Sequence, residues 1–96
     1  SISTGLTTKN VDKGIKVFPN PFNHFVTINF DLDRPADVKV DVYDLMGKLV
    51  FSKDLGKNNA GNHSCQVNPE HLRTKGIYLV KVRVGEDIFL KKIIKE

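Results

Sequence analysis

Seven short strand-like segments, several of them alternating apolar and polar residues, with turn-forming clusters between them and no helical period in any long window, predict an all-β protein. The expected architecture is a seven-stranded, immunoglobulin-like antiparallel β-sandwich. The chain's 96 residues make one domain, which at this size buries about 60–65% of its unfolded surface on folding. Its one cysteine, Cys65, cannot close an intrachain disulfide. Stability must therefore come from a packed core, and the redox compartment is left open.

Ser1 to Gly14 is rich in Ser, Thr, Gly and Lys and has little to bury, which is linker composition. It is expected to join residues 15–96, the folded domain, to something upstream. The opening on Ser1, with no leader and no run of about eighteen apolar residues, fits a piece of a longer protein. Ile15 to Phe18 makes the first strand. Val26, Ile28, Phe30 and Leu32 alternate with polar residues in the second, and Val38, Val40 and Val42 do so in the third. Lys48 to Asp54, Asn62 to Val67 and Ile77 to Val84 supply three more. The seventh, Asp87 to Lys95, is an apolar, lysine-studded segment one residue from the end, and its mixed phase predicts a bulge near Lys91.

The separators are turn chemistry: Pro19-Asn20-Pro21, Asp33-Arg34-Pro35, Asp44-Leu45-Met46-Gly47, Asn58-Asn59-Ala60-Gly61 and Gly85-Glu86-Asp87. Asp44 is expected to hydrogen-bond its own turn, with Gly47 in a left-handed backbone. Pro69 opens one turn that carries Leu72 inward. Tyr78, behind Gly76 at the start of the sixth strand, has the position of a tyrosine corner.

The net charge of +4 comes from the last quarter of the chain: residues 1–72 carry eight basic and eight acidic side chains, residues 73–96 seven and three. Lysines on a late strand protect a sheet edge from indiscriminate pairing. They lack the interleaved aromatics that single-stranded nucleic acid would need, so no nucleic-acid partner is expected. His63 and Cys65 share a strand face but have no third group to orient a base, and Cys65 alternates with Val67 as a core residue does. With His24 and His71 they do not reproduce zinc-ligand spacing. No carboxylate pair spans a cleft and there is no glycine-rich phosphate loop, so no catalytic residue, metal, cofactor or small-molecule substrate is expected. Asn62-His63-Ser64 fits the glycosylation acceptor pattern.

The order of the motifs adds a further layer. Val17-Phe18-Pro19-Asn20-Pro21 comes first, then Val42-Tyr43-Asp44-Leu45-Met46-Gly47-Lys48-Leu49-Val50, then Gly61-Asn62. Leu72 with Gly76-Ile77-Tyr78 follows, and Lys91-Lys92-Ile93-Ile94-Lys95 closes the series. Over residues 15–96 this resembles the type A C-terminal sorting domain of the type IX (Por) secretion system of Bacteroidota. The opening motif, extended to Pro21-Phe22-Asn23, also resembles an immunoglobulin-like domain of flagellar hook-capping proteins.

The resemblance to the sorting family implies a periplasmically folded signal on a covalently linked upstream passenger, read by the outer-membrane type IX translocon. A sortase-like cysteine peptidase then removes it, here within Ser1 to Gly14, and the passenger is released or attached to the cell surface. The recognition residues it implies are Leu72, Gly76, Tyr78, Lys91, Lys92, Ile93, Ile94 and Lys95, while Pro19, Asn20, Pro21, Asp44, Gly47 and Gly61 shape the turns. The last two strands are expected to pair as a hairpin whose edge can accept an added strand from a receptor. The alternative function is an adhesion, carbohydrate-binding or spacer module. Carbohydrate binding would need an exposed aromatic platform, and both Tyr43 and Tyr78 are expected in the core.

Overall fold

A computed structural model describes residues 15–96; Ser1 to Gly14, with the expected linker and cleavage region, lies outside the described residues. Seven strands form two antiparallel sheets: β1 (Ile15–Phe18), β2 (Val26–Leu32), β3 (Ala36–Asp44), β4 (Leu49–Asn58), β5 (Gly61–Val67), β6 (Gly76–Val84) and β7 (Asp87–Lys95). One sheet has the order β1-β2-β5, the other β4-β3-β6-β7. A single 3₁₀ turn, Pro69–His71, is the only helical element among the described residues. The all-β, two-layer, seven-stranded expectation holds.

The core follows from the alternation. Val26, Ile28 and Phe30 from β2 face Val38, Val40 and Val42 from β3 and Tyr78, Val80 and Val82 from β6, all of them buried. Each such side chain removed from water contributes about 1.5–3 kcal/mol, which is how a chain without cross-links holds two sheets together. Leu72, delivered by the Pro69 turn, is fully buried as expected.

Two expectations about strand regularity are corrected. β7 pairs with β6 in unbroken register from Val84↔Asp87 to Gly76↔Lys95, with no bulge near Lys91. Its mixed phase arises because both faces are apolar: Phe89 and Ile93 point inward while Leu90 and Ile94 stay exposed. The irregularities lie instead between β3 and β4, at Val38/Lys39 and Val42/Tyr43. β4 also runs to Asn58 rather than stopping at Asp54. The Asp54 carboxylate accepts the Gly56 N–H at 2.9 Å, so a residue that reads as a strand breaker sits within a bulge.

Candidate functional site

The β6–β7 hairpin and the segments that hold it contain every residue expected to carry recognition. Tyr78 is 2% exposed, and its hydroxyl donates to the Thr74 carbonyl at 2.6 Å, accepts the Thr74 N–H at 3.2 Å and lies 3.0 Å from Thr74 Oγ1. This is the expected tyrosine corner: one phenol ties the β5–β6 connection to the strand it enters. Gly76 begins that strand at φ +128°, a backbone that L side chains rarely adopt. Opposite Tyr78 in the register is Ile93, with no exposed surface.

The period-two geometry of strands divides the expected recognition set. Leu72, Tyr78 and Ile93 are core residues and present nothing to a partner. Lys92 and Ile94 face outward with Ile77, Leu79 and Leu90. Lys91 and Lys95 share the inward phase of Ile93 on this edge strand, and their long stems can leave the sandwich at its margin. The Lys95 ammonium donates to the carbonyls of Leu72 and Arg73, fastening β7 to the β5–β6 connection. Structure thus separates one linear motif into residues that build and residues that show.

A second fastening was not anticipated. Asn20 lies alongside β7, its Nδ2 donating to the Lys92 carbonyl at 3.2 Å and its Oδ1 accepting the Ile94 N–H at 3.0 Å. Two residues on, the Phe22 N–H donates to the Ile94 carbonyl at 2.9 Å and the Phe22 carbonyl accepts the Glu96 N–H at 2.8 Å, a parallel bridge. The Phe22 ring is 2% exposed, with its centroid 6.3 Å from that of Tyr78. The expected open edge is therefore corrected: from Lys92 to Glu96 these outward backbone groups are already bonded to Asn20 and Phe22, and strand addition there would have to displace them.

The other expected features fall into structural roles. The Asp44 carboxylate accepts the N–H groups of Met46 and Lys48, each at 2.9 Å, and Gly47 takes φ +85°. Gly61 opens β5 after the Asn59-Ala60 turn. Pro19 and Pro21 flank Asn20 where the chain crosses from the edge of one sheet to the edge of the other. His63 and Cys65 do share a face, but the imidazole stacks on Phe30 at 5.6 Å and its Nε2 donates to the Asn59 carbonyl at 2.7 Å. Cys65 is buried, and burial raises its thiol pKa against a smaller lowering by Lys53. That is the environment of an inert thiol. Among the described residues no three His, Cys, Asp or Glu side chains cluster as a metal site would require.

Fold and hairpin together define a β-sandwich module whose surface chemistry is carried by strand faces and turns. Residues 16–96 match the family described as the secretion system C-terminal sorting domain, and the chain belongs to that family. It carries a sorting signal of the type IX secretion system, which directs export toward the outer membrane or the extracellular space. The family is not a catalytic one, and its members work with that system on behalf of a passenger protein. No curated protein matches the chain.

Proposed function

We propose that this domain is a removable address label at the end of an exported protein, and that its readable surface is the outward face of the β6–β7 hairpin. The passenger lies upstream, Ser1 to Gly14 is the connecting arm, and a sortase-like cysteine peptidase cuts within that arm. The outer-membrane translocon docks on Lys92, Ile94, Ile77 and Leu79 after folding in the periplasm, and the passenger is then released or attached at the surface. Leu72, Gly76, Tyr78, Ile93 and Lys95 act through that face by fixing its geometry.

The observation carrying this reading is the split of the terminal motif: its backbone is fastened to the sandwich by Asn20, Phe22 and the Lys95 ammonium, and Ile93 is buried, while the side chains of Lys92 and Ile94 stay outside. A signal assembled from residues distant in sequence can be read only when folded, so an unfolded passenger tail is not mistaken for cargo.

The test is a fluorescent reporter fused ahead of residues 1–96, behind a secretory leader, in a bacterium with an intact type IX system. Export of the parent fusion and periplasmic retention of the Lys92→Glu, Ile94→Asp version, with both domains folded, is the expected result. Retention of the parent fusion would remove the sorting reading. Equal export of both would remove the hairpin face from it.

A further inference from the structure

β1 and β2 do not end together. β1 begins at Ile15, opposite Phe30, while β2 runs on to Leu32 and keeps β5 as its partner there, at Leu32↔Gly61. On the β1 side, Asp31 and Leu32 have no partner strand among the described residues. Successive residues of an antiparallel strand turn their backbone groups to alternate sides, so one of these two presents its N–H and C=O along the line of β1. The residues that precede Ile15 in sequence are the ones nearest to completing that ladder.

Beside this edge the end of the sandwich is hollow. Leu32, Pro35, Ala36, Val84 and Phe89 line it with apolar surface, and the turn at Gly85, whose N–H donates to the Asp37 carbonyl at 2.8 Å, closes it. The charged lining is five carboxylates, Asp31, Asp33, Asp37, Glu86 and Asp87, against Arg34 and Lys57, in a chain whose net charge is +4. Asp31 accepts Asn62 Nδ2 at 2.6 Å; the other four have no side-chain partner among the described residues. The depression suits a segment that brings a cation and an apolar side chain together, and Val11-Asp12-Lys13-Gly14 is one. Ile15 and Val17 point inward while Lys16 and Phe18 point outward, so a period of two assigns Lys13 and Val11 to the inward phase and Gly14 and Asp12 to the outward one.

We propose that residues 11–14 extend β1 along the free edge of β2 and seat in this depression, with the Lys13 ammonium among Asp33, Glu86 and Asp87 and Val11 over the apolar lining. At about 3.4 Å per residue, four residues carry the strand about 14 Å beyond Ile15, past the end of β2 and across the hollow. Covalent attachment to Ile15 gives the segment an effective concentration on the order of millimolar at its seat, which a free peptide or a second copy does not reach. The consequence for processing rests on the sorting reading above. A peptidase needs an accessible chain, so docking shields residues 11–14 and confines the cut to residues 1–10.

Amide hydrogen exchange on the full chain, residues 1–96, read residue by residue by NMR, tests the seat without any export machinery. The slowest amides within residues 11–14 should be protected at least tenfold relative to those of residues 2–8. Lys13→Glu, which leaves residues 15–96 as they are, should abolish that protection, as should Asp33→Lys with Glu86→Lys at unchanged Tm; all three substitutions together should restore it. Uniform exchange across residues 2–14 overturns the docking, and protection that survives Lys13→Glu overturns the depression as its seat. Protection that fades on dilution overturns the proposal in favour of the arm of a second copy. For the cut, mass spectrometry of the domain trimmed from the exported reporter fusion should place its new first residue no later than Val11, and a later one overturns the shielding. Failure of the fusion to be exported overturns the sorting reading and the shielding with it, while the exchange result decides the docking by itself.

Discussion

The two faces of the β6–β7 hairpin are made of similar residues and do different work. Inward, Tyr78, Val80, Val82 and Ile93 have at most 2% of their surface exposed; outward, Ile77, Leu79, Leu90 and Ile94 are 37–46% exposed. Apolar residues stand on both faces, joined on the outer one by Lys81, Arg83 and Lys92, so hydrophobicity alone does not assign a residue to its face. Position in the sandwich does, because one row meets the second sheet and the other meets solvent or a partner. The lesson is that a terminal motif of adjacent residues, such as Lys91 to Lys95, cannot be treated as a unit: neighbours in sequence belong to opposite faces.

The largest contrast is expected from a pair of single substitutions one residue apart. Ile93→Asp places an unpaired carboxylate in a fully buried site, and should cost more than about 4 kcal/mol, a large share of the stability of a domain this size. Ile94→Asp should cost within about 1 kcal/mol, because its carboxylate stays hydrated. Chemical denaturation of both variants checks the contrast. If the two are destabilised alike, the division of the hairpin into a building face and a showing face is wrong.

A smaller effect sharpens the role of the tyrosine corner. Tyr78→Phe keeps the ring and its contact with Phe22 but removes the hydroxyl that satisfies the Thr74 N–H and C=O. The expected loss is about 1–3 kcal/mol, read as a fall in Tm on the order of 4–8 °C for each kcal/mol. An unchanged Tm would mean that water replaces the phenol at no cost and that the corner does not fasten the connection.

Much of this was legible because local chemistry decided it. Alternation located β2, β3 and β6, turn clusters set off the remaining strands, Pro69 delivered Leu72, and Asp44 with Gly47 specified their own turn. The β4 bulge was hidden because Gly56 reads as a terminator unless the Asp54 carboxylate that accepts its N–H is known. The mixed phase of β7 read as a bulge because apolar residues were assumed to face inward, an assumption that fails where the outer face is itself apolar. The Asn20 clasp had no local signal at all: its partners, Lys92 and Ile94, lie 72 and 74 residues away. Nor does the exposed Leu45-Met46 dipeptide announce its exposure, since in most settings it would be core.

The clasp yields the finest test, since it acts on one edge and not on the core. Asn20→Ala removes two hydrogen bonds from a solvent-exposed site, so the global cost should be no more than about 1 kcal/mol. Its effect should be local, because opening free energies vary across a structure and edge segments lie at the low end. Hydrogen exchange at the Ile94 amide, whose acceptor is lost, should quicken by roughly tenfold, while the core-strand amides of Val80 and Val82 change little. Asn20→Asp discriminates further: its carboxylate still accepts the Ile94 N–H but cannot donate to the Lys92 carbonyl, so protection at Ile94 should be largely retained. Unaltered exchange at Ile94 in the alanine variant would show that the Phe22 bridge alone holds the tail, and would reduce Asn20 to a turn residue.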